Sequence, residues 1–417
     1  MALGIEMRIQ TANGYYLPSF FFMKIESDDD VLEIVQNNEQ TFVHEYIHFL
    51  QDLILPYNIR NTLISNRYFA LVSSIGYDEK QITRPFSKWD EDADLTIKQF
   101  QYTWGGGDFN NQKAKIATIE NDYFEIYTGA RVFRYILTTD AGYRYHIGAR
   151  DFLEYIAHKI EEKNWQVNHP VFPYKTIDLI FEYYKLDWIT DEVKLCLVEY
   201  SLYNDNPMNQ LIKIIEQWVT KQPEIFKDYN KCSSHLLSLQ WKSNGGFEET
   251  IFTKTERRLI DLKTSLSGKY LNHNFISIRK WIDHIIEFSK QNLSNRFIFS
   301  ELFIMNGNDF RNTISSFVKE IGIPLIFNQK EESASLLPEI YDHNDFIQLY
   351  AAFNFMEYVQ STNQSCEMLN FCNANRPEIV DDNCKNNPIL RSNCSELCPF
   401  GLFVKSYGLH NIEWKIS

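Results

Sequence analysis

The pattern of apolar residues between Asn37 and Pro56 predicts a buried helix. Asn37 is suited to cap the first turn, with Gln40 at the reciprocal capping-box position, and Pro56 marks the end of the segment. The apolar side chains that would bury this helix are Phe42, Val43, Ile47, Leu50, Ile54 and Leu55. A helix buried in this way must satisfy every polar group that it carries, because an uncompensated one costs a few kcal/mol.

Turn signals and apolar spacing predict a hairpin before this helix and mostly helical structure after residue 150. Asn13-Gly14 is a strong two-residue turn between a run near Ile5–Gln10 and another at Tyr15–Ile25. Apolar residues from Gln112 to Leu137 recur at alternating steps of three and four, which predicts a second buried helix. Six further helices are predicted at Asp151–Lys163, Asp191–Tyr203, Pro207–Thr220, Ser277–Gln291, Asn312–Ile321 and Asp345–Gln360.

The first predicted helix contains the sequence His44-Glu45-Tyr46-Ile47-His48. Positions four apart lie on one helix face, one turn apart, so that both imidazoles can reach one metal ion. Glu45 lies about 100° around the helix from His44 and can reach a metal-bound water instead of the metal. This HExxH arrangement predicts two zinc ligands, His44 and His48, and a general base, Glu45. The alternative is a helix with two hydrogen-bonded core histidines and a surface glutamate.

Through His44, Glu45 and His48 the sequence resembles the zincin superfamily of zinc metallopeptidases. The following residues, Phe49-Leu50-Gln51-Asp52, also resemble those of uncharacterised bacterial HExxH proteins. The resemblance covers mainly this one helix. It implies a small sheet beside the metal-binding helix, with an edge strand that pairs with extended peptide substrate. In the gluzincin-like form it also implies a third ligand, a glutamate from a later helix.

The third zinc ligand is sought first in the segment after His48. Phe49–Pro56 has neither His nor Gly, which excludes the metzincin pattern. Glu125, on the predicted 112–137 helix one turn before Gly129, is the favoured ligand because the small residues near it allow another helix to approach. Glu120 is the competitor, although it shares a stripe with arginines that is typical of a solvated ion-pair face.

Further roles around the metal are assigned from spacing. Asp52, four residues after His48, and Asp122, three before Glu125, are spaced to accept hydrogen bonds from the ligand imidazoles, or are ordinary surface acids. His146 is the candidate for stabilising the oxyanion that forms when water attacks a carbonyl. The histidines outside the motif show no ligand spacing: His146, His158, His169, His235, His273, His284, His343 and His410.

Five of the seven cysteines lie close together near the end of the chain: Cys366, Cys372, Cys384, Cys394 and Cys398. Such enrichment predicts a small local site. Structural zinc, an iron–sulfur cluster, disulfides and free thiols remain open, because only Cys394 and Cys398 have the spacing of ordinary zinc ligand pairs.

Composition narrows the function classes. The 417 residues carry a net charge of −14 without a basic stripe, which argues against binding to a nucleic-acid backbone. Sequence hydropathy shows no apolar run of about 20 residues, the length needed to span a bilayer. Residues 1–10 lack the basic and apolar regions of a signal peptide, so that we expect a cytoplasmic protein.

We therefore expect a predominantly helical α+β protein in three parts. Residues 1–220 would form a zincin-like catalytic core with a small sheet, 221–345 a helical region, and 346–417 a helix with the cysteine-rich segment. The predicted function is a zinc-dependent hydrolase, foremost a metallopeptidase acting on peptides or proteins. The alternatives are a non-catalytic, metal-stabilised protein that binds a protein partner, and an iron–sulfur enzyme that uses the C-terminal cysteines. We expect one catalytic zinc ion, and a second zinc ion or an iron–sulfur cluster is an option at the cysteines.

Overall fold

The computed structural model describes residues 9–10, 13–106, 114–242, 246, 248–271, 273–293 and 296–417. The fold is α+β and predominantly helical, with small sheets. The α-helices are α1 (Ile34–Asn37), α2 (Glu39–Ile54), α3 (Pro56–Glu79), α4 (Glu91–Trp104), α5 (Ala149–Asn164), α6 (Thr176–Tyr183), α7 (Asp191–Ser201), α8 (Pro207–Ile214), α9 (Tyr229–Ser238), α10 (Ile251–Lys269), α11 (Ile276–Leu293), α12 (Ile298–Ile304), α13 (Gly307–Ile321), α14 (His343–Gln360), α15 (Leu369–Asn375), α16 (Asp382–Asn386) and α17 (Pro399–Ser406).

Among the residues that the structure describes, the strands form four small sheets. In chain order they are β1 (Ile9–Gln10), β2 (Gly14–Leu17), β3 (Phe22–Ile25), β4 (Gln81–Arg84), β5 (Ile116–Glu125), β6 (Arg131–Thr139), β7 (Arg144–Ile147), β8 (Trp241–Lys242), β9 (Glu248–Glu249), β10 (Leu325–Phe327), β11 (Ser333–Ala334) and β12 (Glu413–Ile416). The largest sheet has the order β1-β2-β3-β10-β11, antiparallel except between β3 and β10. β5-β6-β7 is an antiparallel sheet, β4 pairs with β12 in parallel, and β8 pairs with β9.

Several predicted elements are confirmed. The predicted hairpin is present, with Gln10 paired to Tyr15, and the run after it is divided into β2 and β3. Asn13-Gly14 is not its two-residue turn, however, because Gly14 is already the first residue of β2. The rest of the first predicted run, residues 5–8, lies outside the described residues. All six helices predicted beyond residue 150 are present, although Ile215–Val219 continues α8 as a π-helix.

The predicted helix from Gln112 to Leu137 is wrong over the residues that the structure describes. Ile116–Glu125 and Arg131–Thr139 are instead the two strands of an antiparallel hairpin, in which Glu125 pairs with Arg131. Gly129, with φ of 75°, lies in the connecting turn, where Ile126 N donates to Ala130 O and Gly129 N donates to Ile126 O. Glycine adopts this left-handed conformation without a steric penalty, which explains its position in the turn.

The helix with the HExxH sequence is α2, and its start differs from the prediction. Asn37 ends α1, α2 begins at Glu39 after Asn38, and no side-chain cap is made there. Gln40 instead donates to Glu161 Oε1 at 2.7 Å. α2 ends at Ile54 as predicted, and Pro56 opens α3 at a first-turn position, where its missing N–H is not needed.

Strand pairs connect the three predicted parts of the chain. β3 from the first part pairs with β10 from the second, and β4 from the first part pairs with β12 from the third. Buried residues from all three parts belong to one continuous apolar core. Among the described residues, no helix combines the length and the apolar character needed to cross a bilayer.

Candidate metal centre

The site is built on α2, which is buried on every side from Phe42 to Ile54. α2 packs against α5, α3, α11 and strand β2. His44, Glu45 and His48 therefore lie in the protein interior, each no more than 1% exposed. Polar groups at this depth are stable only with partners, so the atoms around them indicate what the site can bind.

Three ligand-type atoms form a nearly equilateral triangle. His44 Nε2 and His48 Nε2 lie 3.2 Å apart. Glu154 Oε2, from α5, lies 3.3 Å from the first nitrogen and 3.5 Å from the second. Ligand atoms about 2.0–2.1 Å from a tetrahedral zinc ion lie about 3.3 Å from one another. The three edges of the triangle fit that geometry, so His44, His48 and Glu154 are suited to hold a zinc ion.

The other ring nitrogens of both histidines are held by side chains. His44 Nδ1 donates to Glu161 Oε2 at 2.8 Å, and His48 Nδ1 donates to Gln51 Oε1 at 2.8 Å. Gln51 Nε2 in turn donates to the carbonyl of Leu153 at 3.1 Å. Such contacts keep the proton on Nδ1 and direct Nε2 towards the metal position, as is usual for zinc-binding histidines.

Both carboxylates that face the histidines come from α5. The side chain of Asp151 closes the first turn of this helix by accepting from Gly148 N at 3.0 Å. Glu154 and Glu161 are two turns apart on the face that packs against α2. Helix–helix packing therefore places one carboxylate on each ring nitrogen of His44.

The ionisation state of each residue in the site depends on its neighbours. Burial opposes ionisation of Glu154, but hydrogen bonds with His44 and His48 outweigh it and lower the pKa of Glu154 to about 2. Burial likewise works against a charged His44, whereas its bonds to Glu154 and Glu161 raise its pKa well above the ordinary value. The pKa of His48 is lowered, mainly by burial. Ionised Glu154 and neutral His48 are the forms that bind a metal ion, whereas His44 has to release its Nε2 proton when a metal binds.

Glu45 lies on α2 against the first hairpin. Its Oε1 would lie only 3.4 Å from a Cβ atom added to Gly14, the first residue of β2. Its negative charge also acts on His44 and on Tyr174. Glu45 is therefore held beside the two histidines and is not among the three atoms of the triangle.

Aromatic and imidazole rings from the segment after α5 cover His44. His169 donates to Glu161 Oε2 at 2.9 Å and stacks on Tyr174 with ring centroids 4.4 Å apart. The centroid of the Tyr174 ring also lies 6.2 Å from that of the His44 ring. His44, Glu161 and His169 form a second group of close ligand atoms, which overlaps the first at His44.

The structure does not bring Glu125 or Glu120 to the histidines. Glu125 is an exposed strand residue that pairs with Arg131 at 3.1 Å, and Glu120 pairs with Arg144 at 3.3 Å. The expectation that Glu125 or Glu120 lies beside the histidines is wrong, because residues 116–125 form a strand on a solvent-facing hairpin, and the carboxylate that does lie beside them is that of Glu154.

The other predicted neighbours of the metal are also elsewhere. Asp122 accepts from Arg134 Nε at 3.0 Å on the same hairpin. Asp52 is buried but accepts from Tyr16 Oη at 3.0 Å and Ser19 N at 2.7 Å, and therefore holds the hairpin onto α2. His146 lies in β7, where its Nε2 donates to the Tyr102 carbonyl at 3.2 Å. The hydrogen bonds from the two imidazoles, which the sequence predicts for Asp52 and Asp122, are instead accepted by Gln51 and Glu161.

Sequence reasoning missed Glu154, Glu161, His169 and Tyr174. A signal was present in the predicted Asp151–Lys163 helix, where Glu154, His158 and Glu161 follow each other at steps of four and three. These polar residues share one face of a helix whose neighbouring positions are apolar, a pattern that marks a buried polar site. The five C-terminal cysteines form no disulfide with one another and lie in a separate region.

Comparison of the chain with protein-family models, with curated proteins and with solved structures gave no match. The functional interpretation therefore depends on the geometry of the site itself.

Proposed function

We propose that this protein is a zinc-dependent hydrolase, most specifically a metallopeptidase with a gluzincin-like ligand set. The observation that carries the proposal is the triangle formed by His44 Nε2, His48 Nε2 and Glu154 Oε2, with edges of 3.2, 3.3 and 3.5 Å. Glu45, on the same helix as the two histidines, supplies the carboxylate that a hydrolase needs in addition to the ligands. A third ligand from a later helix is the feature that the gluzincin resemblance implies.

The roles of the residues follow from their positions. Zinc, when bound, lowers the pKa of a coordinated water to about 7 and polarises a substrate carbonyl. Glu45 accepts the proton of the attacking water and returns it to the leaving amine, a contribution of about 10²–10⁴ in rate.

A peptide substrate is favoured by the sheet beside the site. β2 packs on α2, and Gly14 at its start lets the Glu45 carboxylate approach the backbone closely. β1 is the outermost described strand on this side of the sheet. A strand at an edge can pair with an extended peptide.

The complete burial of the site favours a second candidate function. His44, Glu45, His48 and Glu154 are each at most 1% exposed, so that a peptide can enter only after the covering residues, including His169 and Tyr174, move away. A metal ion enclosed in this way suits a non-catalytic protein that is stabilised by its metal and binds a protein partner. A cytoplasmic location is proposed for either function.

The deciding experiment combines metal analysis with an activity assay. We expect about one zinc ion per chain in the wild type and its loss in His48→Ala. Glu45→Gln should retain zinc and lose cleavage of a peptide library by about 10²-fold or more. Glu39→Gln, which removes an exposed carboxylate from the same helix, is the matched control and should keep both. Full zinc loading with unchanged activity in Glu45→Gln would refute the role assigned to Glu45. A zinc-loaded wild type that cleaves no peptide would refute the hydrolase and favour the second candidate.

A further inference from the structure

The cysteine-rich end of the chain brings four thiols into the interior. Cys366 follows α14, Cys372 lies in α15, Cys384 lies in α16, and Cys398 precedes the first residue of α17. All four are buried, between 3% and 6% exposed, whereas Cys394 is partly exposed. Three short helices and the connecting loops therefore direct four of the five cysteines inwards.

The four buried thiols are close enough to influence one another. Cys366 N donates to the Cys384 carbonyl at 2.7 Å, and this hydrogen bond joins the two ends of segment 366–384. Burial raises the pKa of Cys372 to about 12, and the charges of Cys398 and Cys384 contribute to the increase. Burial also raises the pKa of Cys366, and the charges of Cys398, Cys372 and Cys384 add to that increase. Contacts of Asp381 and Arg391 connect the same cysteines: Asp381 Oδ1 lies 3.7 Å from Cys384 Sγ, and its Oδ2 accepts from Arg391 at 2.6 Å. The carbonyl of Arg391 packs against Gly401, whose N donates to Cys398 Sγ. The cysteines of this segment therefore lie in one buried neighbourhood.

We propose that Cys366, Cys372, Cys384 and Cys398 bind a [4Fe–4S] cluster, with Cys394 outside the ligand set. In a tetrahedral zinc site, four sulfur ligands at about 2.3 Å from the metal lie about 3.8 Å from one another. In the described part of the chain, no three of these sulfur atoms lie within 4.8 Å of one another, so they are too far apart for one zinc ion. The ligand atoms of the histidine site do lie within that distance. Each cysteine of a four-iron cluster binds a different iron atom, so its sulfur ligands lie farther apart than those of a single zinc ion.

Two neighbouring groups compensate the negative charge of such a cluster. Gly401 N, in the first turn of α17, donates to Cys398 Sγ at 3.3 Å. The buried guanidinium of Arg391 donates to Cys394 Sγ at 3.4 Å and to Asp381 Oδ2 at 2.6 Å, and its charge acts on Cys372 and Cys384. Hydrogen bonds to sulfur and nearby charge are the means by which proteins stabilise iron–sulfur clusters.

The cluster also explains how this segment is held together. Between Ser361 and Cys398 the chain forms only helices of seven residues or fewer, with connecting loops. Isolated helices of this length are unstable in water. Four ligands that come from separate short helices and loops would join these pieces to α17, so that cluster binding contributes to folding of the segment.

The test uses the full-length chain, purified without oxygen and reconstituted with ferrous iron and sulfide. His48→Ala serves as the background, so that zinc at the histidine site does not contribute. We expect about four iron and four sulfide per chain, and a brown protein whose visible absorption bleaches with dithionite. About one zinc without sulfide, or thiols that bind no metal, would overturn the proposal.

Single variants identify the ligands. Cys→Ser changes at 366, 372, 384 and 398 should each remove most of the iron and sulfide, whereas Cys394→Ser should retain the wild-type content. A Cys394→Ser variant that loses the cluster as completely as Cys372→Ser would contradict the proposed ligand set. If the ligand variants fail to fold, X-ray absorption spectroscopy of the reconstituted wild-type segment in the His48→Ala background tests the cluster directly. A cluster gives a scattering signal from neighbouring iron atoms, and the absence of this iron–iron signal would refute it. None of these results depends on hydrolase activity.

Discussion

Glu154 and His44 lie 110 residues apart in the sequence, and their Oε2 and Nε2 atoms are 3.3 Å apart. The contact joins α5 to α2 in the interior, where an ionised carboxylate is stable only beside a proton donor or a metal ion. Glu154 also reaches His48 Nε2 at 3.5 Å. One glutamate therefore completes a site that the two histidines begin.

Replacing Glu154 should remove zinc far more effectively than replacing Glu125. Glu154→Gln removes the charge of the third ligand, and we expect zinc affinity to fall by more than the 10–100-fold that is typical of losing an outer hydrogen-bond partner. Glu125→Gln, on the exposed hairpin, should leave the affinity unchanged. Competition with a chromophoric chelator measures both values, and the reverse order would exclude Glu154 as a ligand.

Glu161 should support zinc binding without contacting the metal. Glu161→Gln weakens the hydrogen bond that orients His44, so zinc affinity should fall by about 10–100-fold. Glu162→Gln, a change at the next residue where the carboxylate is more exposed and pairs with Lys175, is the control and should bind as the wild type does. Equal affinities for Glu161→Gln and Glu162→Gln in the same chelator competition would show that the contact at His44 Nδ1 is dispensable.

Gly14 should be required for the close packing of the hairpin on α2. A Cβ atom at this position would lie 2.7 Å from the Lys24 carbonyl oxygen and 3.1 Å from Thr41 Cγ2. Gly14→Ala should therefore lower the free energy of unfolding by about 1–3 kcal/mol, the usual cost of overpacking. Gly106→Ala is the control, since no described atom lies within 4 Å of the added carbon. Urea unfolding measures both changes, and equal stability of the two variants would contradict the expected clash.

Lys269 should make the stability of the protein rise with pH above neutrality. Its ammonium group lies in the core between the rings of Phe20, Phe69 and Tyr270, at 4.9 to 5.7 Å, and burial lowers its pKa to about 7 from an ordinary value of 10.5. Between about pH 7 and pH 10.5 the Lys269 amine is protonated in the unfolded chain and neutral in the folded chain. The free energy of unfolding therefore increases with pH in this window and is independent of Lys269 titration below it.

Comparison with Lys269→Met isolates this effect. The variant should exceed the wild type in stability by the largest amount at or below pH 7, on the order of a few kcal/mol, and the difference should shrink as the pH rises towards 10.5. Lys263→Met, at an exposed position on the same helix, should show no such trend. Denaturant unfolding over this pH range is the measurement, and a constant difference would show that Lys269 titrates normally.

The prediction of a helix at 112–137 failed for a physical reason. Steps of three and four among Ile116, Ile119 and Tyr123 describe a helix face, but β-branched and aromatic residues are equally suited to strands. The stability of β5 and β6 comes from pairing across the hairpin, which joins Ile119 to Leu137. A local pattern does not contain these pairs, although the small residues around Gly129 were a turn signal.

The sequence alone determined the local half of the candidate metal site. Helical periodicity places His44 and His48 one turn apart on one face with Glu45 beside them, and the apolar residues around them require that this helix be buried. Only the tertiary structure decided the other half. Glu154, Glu161 and Tyr174 reach the histidines through the packing of α5 and its following segment on α2. Contacts between distant segments depend on how whole helices pack together, and the spacing of residues within one helix does not encode them.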